Sequence, residues 1–488
     1  MGEIVGKSII SLDDLSIQEI ETIFETTDHI RKNWKDYQHS ATGLIAASLF
    51  HEPSTRTRLS FDAAMQRLGG GTISTAEADS SSAAKGESLA DTVRVVGSYA
   101  DILIIRHPWE GAARLASEYS PVPIINAGDG RHEHPTQTLC DLYTLREHHG
   151  SLKGLRVALC GDLLNGRTIH SLAFALARFG ANIIFVPGEG NDIPDYVLRR
   201  LESDYNAHIR REQLGVLSAL FNPPHENNNA ETVNAIYITP RDSHQLAMST
   251  IEGTTMRFEV SSGEALSIYV TRRQSERESS PSSGKMYPKM TLEALQSSEF
   301  KDISILHPLP RVDELSPKID NDPRSLYFKQ ATLGVPVRMS LICHVLGLRV
   351  DETEERASSN HPSQAKVLYS YPTIACSNPT CVTNMESQFA KSAFEIVSDN
   401  GYHLACLYCD CETPATYAGN ISSSIYYPSY LLDRILPSVL PEHVRFFSSD
   451  ELAELHGYRY ISGNWGKYDQ AKDRSIRSWL ASARKNLP

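Results

Sequence analysis

Ser54, Thr55, Arg56, Thr57 and Arg58 stand immediately before a run whose apolar residues, Phe61, Ala64, Met65 and Leu68, recur at helical spacing and stop at Gly69 to Gly71. Hydroxyl and guanidinium groups therefore gather at a helix N-terminus, where free backbone N–H groups and the positive end of the helix dipole favour an anion. An arginine adds a planar fork of donors that suits phosphate or carboxylate oxygens. The same pattern is open to a plainer explanation, a hydroxyl N-cap beside solvated arginines.

Four more polar clusters follow apolar runs of strand length. Arg106-His107-Pro108 is the first, and "NAGDGRHEHPTQ" (126–137), with His134 ahead of Pro135 at a helix start, is the second. "CGDLLNGRT" (160–168) and "HPLPR" (307–311) complete the set. Taken singly, Arg106, His134 and Arg167 each have a structural explanation. Side chains at the carboxyl ends of parallel strands converge on one crevice, however, and four such ends make a binding site the better account.

Cysteine spacing carries a second chemistry. Cys376 and Cys381 have four residues between them, Cys406 and Cys409 have two, and 24 separate the pairs. Two close pairs fit a tetrahedral four-cysteine zinc site, each pair coming from a tight turn. The alternative is four merely buried cysteines, since a reducing cytosol disfavours disulfides. Cys411 is a spare thiol close by, and Cys140, Cys160 and Cys343 sit in core-like patterns.

The elements that must position these groups alternate. "DILII" (101–105), "VPII" (122–125), "RVALC" (156–160), "NIIFV" (182–186), "LSIYV" (266–270) and "ISIL" (303–306) predict strands. Helical faces lie between several of them, such as Leu139, Leu142, Tyr143 and Arg146, or Ile169, Leu172, Ala173 and Leu176. That is α/β with parallel sheets, in two domains divided near "GSLKG" (150–154). Segments 214–232 and 275–288 look inserted, 349–364 is a polar acidic linker, and a third, smaller domain of different texture begins near 366.

A length of 488 residues suits three domains with full cores. Lys and Arg number 47 against 59 Asp and Glu, a formal net charge of −12, so no basic field for nucleic acid or anionic membrane exists and any anion must meet a local cluster. No run approaches the roughly 18 apolar residues of a membrane span, and the first residues lack an export signal, so a cytoplasmic protein is expected.

These motifs carry a family resemblance. "STRTR", "DSSSAAKGESLADT" (79–92), "IIRHPWEGAARLA" (104–116), "GDGRHEHPTQTLCDL" (128–142), "NGRTIHSLA" (165–173), "YVTRRQSER" (269–277) and "HPLPRVDEL" (307–315) resemble, in order, the catalytic chain of aspartate carbamoyltransferases over roughly residues 5–350. "HPLPR" separates that group from ornithine-specific relatives, which usually carry Cys-Leu-Pro there. "ACSNPTCV" with "ACLYCD" is similar to the zinc domain of the family's regulatory chain, here in the same polypeptide. No nucleotide-binding domain of the kind that precedes it in that chain fits in the gap before Cys376.

The resemblance implies carbamoyl transfer from carbamoyl phosphate to L-aspartate. Ser54, Thr55, Arg56 and Thr57 would hold the phosphate, with Arg106 reaching phosphate and carbonyl. Thr57, Arg106 and His134 would polarise the carbonyl, and Gln137 would bind the amide. Ser81 and Lys85 match a loop that enters a neighbouring subunit's site, which makes a C3 homotrimer the minimal enzyme. Arg167, Arg272 and Gln274 would bind the aspartate carboxylates, and the backbone at Leu309 and Pro310 would touch both substrates. The implied domains are 1–150 for carbamoyl phosphate, 151–332 for aspartate, a closing helix at 333–350, a linker at 351–365, a mostly β zinc domain at 366–418 holding one structural Zn2+ on Cys376, Cys381, Cys406 and Cys409, and an extension of unknown role at 419–488. No organic cofactor is expected. A different amino-acid acceptor and a non-catalytic scaffold that keeps the fold are the alternatives.

Overall fold

The computed structural model describes residues 4–74, 86–188, 190–211, 266–272, 290–296, 303–348, 369–370, 374–398, 402–429 and 443–460. The chain divides into two compact units, one of Met1–Ser81, Val95–Arg106 and Ser120–Val350, the other of Ser82–Arg94, His107–Tyr119 and Asp351–Pro488. Ser81, Lys85, Gln274, the inserted segments at 214–232 and 275–288, the linker at 351–365 and the end of the extension, 461–488, lie outside the described residues.

Two sheets organise the first unit. Strands β1 (Ile45–Phe50), β2 (Gly71–Ser74), β3 (Ile102–His107) and β4 (Ile124–Asp129) lie in the order β2-β1-β3-β4, with β2 and β3 parallel to β1. Strands β5 (Arg156–Gly161), β6 (Asn182–Pro187), β7 (His208–Arg211), β8 (Leu266–Val270) and β9 (Ile303–Leu306) form a wholly parallel sheet ordered β7-β6-β5-β8-β9. β3 and β4 are buried at every position, as a parallel sheet covered on both faces requires.

Helices α1 (Ile17–Asn33), α2 (Thr55–Arg67), α3 (Leu89–Gly97), α4 (Ala112–Tyr119), α5 (Pro135–His149), α6 (Arg167–Arg178) and α7 (Asp195–Tyr205) follow in chain order. The apolar face of α2 is buried as its spacing predicts, Phe61, Ala64, Met65 and Leu68 all being sealed from solvent. A long helix, α8 (Tyr327–Leu346), packs on α1, α2 and α5. Its Ser340 hydroxyl donates to the Ile23 carbonyl at 2.7 Å, and its Arg338 guanidinium lies 5.1 Å from the Phe61 ring centroid. The closing helix thus begins at Tyr327, earlier than position 333, and brings Gln330 into the interior.

The second unit carries two small sheets. Strands β10 (Tyr369–Ser370), β11 (Ala393–Ser398), β12 (Tyr402–Cys406) and β13 (Glu412–Pro414) are antiparallel in sequence order. Beyond them β14 (Tyr417–Asn420), β15 (Ile425–Pro428), β16 (Val444–Phe447) and β17 (Arg459–Tyr460) pair as β16-β14-β15-β17 around Tyr426, Phe447 and Ala453. Ser449 caps the short helix Asp450–Leu455, its hydroxyl accepting from the Leu452 N–H at 3.2 Å. Among the described residues no helix is long and apolar enough to cross a membrane.

Candidate active site and metal centre

The α2 terminus departs from an ordinary cap. Ser54 occupies the N-cap position, yet its hydroxyl makes no capping bond and instead donates to Thr57 Oγ1 at 3.0 Å. The first-turn N–H groups are therefore not taken up by the one side chain placed to cap them. Arg56 reaches across to the Leu309 carbonyl at 2.8 Å. Burial, then the nearby Arg272 charge, lowers the Arg56 pKa, which places the two guanidiniums in one field.

β3 delivers Arg106, and α6 opens on Arg167; both are buried, at 8% and 7% exposure. Arg106 Nη1 donates to the Ala127 carbonyl at 3.2 Å, and Arg167 Nη1 donates to the Gly130 carbonyl. Glu52 Oε2 lies 3.1 Å from a guanidinium nitrogen of each, so one carboxylate serves two arginines. Glu52 was not singled out from the sequence. Its only signal there is position, two residues before Ser54, beside a cluster whose positive charge needs a counter-charge.

Gly128 shows how tightly the groups converge. Asn126 Oδ1 accepts from the Gly128 N–H at 2.8 Å, near the end of β4, where Gly128 has φ +119°. A Cβ built there would lie 3.0 Å from Arg106 Nη1, 3.4 Å from Arg167 Cζ and 3.5 Å from His134 Cδ2. His134 is the N-cap of α5, with Pro135 at the first helical position, and its N–H donates to Ser171 Oγ at 3.2 Å. Burial first, then the charges of Arg106, Arg167 and Arg338, holds its imidazole pKa well below the usual histidine range. A neutral ring at pH 7 is left with one N–H to donate.

One turn into α5, Gln137 Nε2 donates to Asp141 Oδ1 at 2.7 Å. The "HPLPR" loop adds its backbone. The Leu309 N–H donates to His307 Nδ1 at 2.8 Å, His307 Nε2 pairs with Glu314 at 2.8 Å, Leu309 has φ +53°, and the Leu309–Pro310 peptide is cis. Within the first unit Arg106, His134 and Arg167 thus meet at Gly128, Arg56 meets the Leu309 carbonyl and the Arg272 charge, and Gln137 is held by Asp141. Such an arrangement can hold two anions and point neutral and cationic donors at a carbonyl between them.

In the second unit the Sγ atoms of Cys376, Cys381, Cys406 and Cys409 all lie within 4.8 Å of one another, and all four residues are buried. Separations of 3.6 Å for Cys376–Cys409 and 3.8 Å for Cys381–Cys406 are too long for disulfides. They match the ~3.8 Å edge of a tetrahedron with ~2.3 Å metal–sulfur bonds, so the four thiols fit a metal ion. Cys411 stands outside the set, 3.5 Å from the Ser377 hydroxyl.

This module docks on segments of its own chain. Glu110 bridges to Cys381 as a parallel pair, with the Val382 N–H donating to the Glu110 carbonyl at 2.9 Å. Buried Glu386 accepts from the Leu89 N–H, the start of α3, at 2.5 Å. The Tyr408 hydroxyl donates to Glu118 at 3.1 Å, and Tyr119 donates to the Phe389 carbonyl at 3.0 Å.

Comparison with known proteins agrees with both halves of this anatomy. Residues 7–147 match the family model "Aspartate/ornithine carbamoyltransferase, carbamoyl-P binding domain", and residues 255–345 match the corresponding Asp/Orn binding domain. Residues 370–416 match "Aspartate carbamoyltransferase regulatory chain, metal binding domain". The aspartate carbamoyltransferase catalytic subunit of Clostridium botulinum is 42% identical over 350 residues, covering 70% of this chain and 99% of the relative, and that of Clostridium perfringens is 43% identical over 346 residues, covering 70% and 98%. Among solved structures, the catalytic subunit of M. jannaschii aspartate transcarbamoylase aligns with a TM-score of 0.54 at 37% identity, over 70% of this chain and 98% of the other. Trypanosoma cruzi aspartate transcarbamoylase with N-(phosphonacetyl)-L-aspartic acid aligns with a TM-score of 0.56 at 31% identity, over 70% and 96%.

The crowding at Gly128 makes a direct prediction. Gly128→Ala should push the Arg106 guanidinium aside and weaken inorganic phosphate binding by tenfold or more, about 1.4 kcal/mol, in calorimetry, with far-UV circular dichroism unchanged.

Proposed function

We propose that this chain, which belongs to the aspartate carbamoyltransferase family, transfers the carbamoyl group of carbamoyl phosphate to the amine of L-aspartate, giving N-carbamoyl-L-aspartate and phosphate for pyrimidine biosynthesis in the cytoplasm. The observation that carries the reading is the convergence of Arg106, Arg167 and His134 on Gly128 at the ends of parallel strands. Ser54, Thr55, Arg56 and Thr57 hold the phosphate at the α2 N-terminus. Arg106 spans phosphate and carbonyl, Thr57 and His134 also polarise the carbonyl, and Gln137 takes the amide. Arg167, Arg272 and Gln274 bind the two carboxylates of aspartate, with the Leu309 and Pro310 backbone against both substrates.

The aspartate amine attacks the carbamoyl carbon, and the carbonyl electrons move onto an oxyanion that Arg106 and the neutral His134 stabilise. Collapse re-forms the carbonyl and breaks the bond to the phosphate oxygen. The proton lost by the amine leaves on that phosphate, so no enzyme base is required. Catalysis rests on positioning two anions and on donors already aimed at the developing charge.

Ser81 and Lys85 complete a neighbour's site, which makes the working unit a homotrimer. Zinc on Cys376, Cys381, Cys406 and Cys409 is structural, holding the turns that dock on Glu110 and Leu89, and no chemical step passes through it.

Three measurements bear on this reading. Arg106→Ala and His134→Ala should each lower turnover with aspartate by ~100- to 1,000-fold, about 2.7–4 kcal/mol; equal or better turnover with ornithine would instead favour a different acceptor. Inactive Lys85→Ala and His134→Ala chains, mixed and reassembled, should recover part of the activity, and no recovery would rule out shared sites. Elemental analysis should give one zinc per chain, with chelation lowering the melting temperature; metal-free protein of unchanged stability would leave the cysteines another role.

A further inference from the structure

One buried carboxylate close to the site has no part in this scheme. Asp141 is fully buried on α5, one turn beyond Gln137. Its Oδ1 accepts from Gln137 Nε2 at 2.7 Å and from Gln330 Nε2 at 2.5 Å, and its Oδ2 accepts from the Tyr269 hydroxyl at 2.9 Å. An ionised carboxylate only accepts, so both amides must turn their NH2 groups toward it and their oxygens elsewhere. For Gln330 the destination is visible: its Oε1 accepts the His307 N–H at 3.1 Å, at the head of the loop carrying Leu309. Tyr269 lies on β8, which leads into Arg272.

We infer that Asp141 is a positioning residue for carbamoyl recognition: it fixes the Gln137 amide with its oxygen toward the N–H donors of the carbamoyl group, and through Gln330 and Tyr269 ties that setting to the loops carrying Leu309 and Arg272. The inference rests on the proposed assignment of Gln137 to the carbamoyl amide. It makes the preference for an amide over a methyl group of the same size depend on a side chain that touches no substrate.

The groups facing Asp141 are Gln137 and Cys140 on its own helix, Gln330 and Arg338 on α8, and Tyr269 on β8. Burial pushes its carboxyl up to about 7, against the opposing pull of the hydrogen bonds from Gln330, Gln137 and Tyr269 and of the Arg338 charge. A folded pKa above the unfolded one means that ionisation costs stability, a cost that grows as pH rises from about 4 to about 7. Protonation makes one oxygen a donor, and the amides that bond to this carboxyl then lose an acceptor that takes only NH2 groups.

The test compares carbamoyl phosphate with acetyl phosphate, in which a methyl group replaces the amide, by their binding constants to the full chain. Asp141→Ala should lose the preference for carbamoyl phosphate by roughly tenfold, the worth of one hydrogen bond, while acetyl phosphate binds as before. Asp141→Asn, which can keep an oxygen at the Oδ1 position, should retain the preference and abolish its pH dependence. The wild-type preference should itself fall as pH is lowered through neutrality. Equal weakening of both ligands, or an unchanged preference, in Asp141→Ala overturns the inference. Should that variant fail to fold, a wild-type preference that is flat with pH, or identical pH profiles for wild type and Asp141→Asn, does the same. Gln137→Ala separates the two levels: if it keeps the preference, the Gln137 assignment falls and the inference with it; if it loses the preference while Asp141→Ala keeps it, only the inference falls.

Discussion

Two guanidiniums and an imidazole share the space around one α-carbon, and the rest of the first unit is arranged to make that tolerable. Burying like charges together is expensive unless each finds a counter-charge and its hydrogen bonds. Glu52 supplies one carboxylate to both Arg106 and Arg167, the Ala127 and Gly130 carbonyls take further N–H groups, and His134 stays neutral. Arg167 also opens α6, where the helix dipole disfavours a cation. A local preference set aside in this way marks a place where the fold is arranged for something other than stability alone.

The second sheet is joined to this cluster through polar groups rather than apolar contact alone. α8 sends Gln330 and Arg338 into the interior, and α5 answers with Asp141, Cys140 and His134. His149, at the end of α5, similarly meets the hydroxyls of Ser267 on β8 and Ser304 on β9, at 2.7 and 2.9 Å. Buried polar networks of this kind are directional, so they fix the mutual register of strand ends more sharply than packing does.

Much of this was legible in the sequence, and the exceptions have physical causes. The runs beginning at 156, 182, 266 and 303 are strands because unbroken apolar stretches of that length suit a sheet buried on both faces. β4 runs on to Asp129 through "NAGD", whose polar Asn126 and Asp129 stay buried because Asn126 bonds to the Ile10 carbonyl and to Asp129, a partnership no local pattern reveals. β1, "IAASLF", is too rich in alanine to stand out, and β2 and β7 are edge strands, β7 of polar sequence. At the site, Arg106, His134 and Arg167 were visible because chemistry-bearing residues at strand ends are conspicuous. Glu52, Gly128 and Asp141 were not, since their importance lies in what the fold brings to them: Arg106 and Arg167 to Glu52 and Gly128, and Tyr269 and Gln330 to Asp141.

The metal module has a different lesson. The family model that it matches is named for a regulatory chain, yet here it shares one polypeptide with the carbamoyl-P binding domain. Covalent fusion turns the docking of Cys381 on Glu110 and of Glu386 on Leu89 into an intramolecular event. Its local concentration is then set by the tether and does not fall on dilution. A contact that two chains would have to win anew at each encounter becomes, in one chain, a stoichiometry that cannot drift.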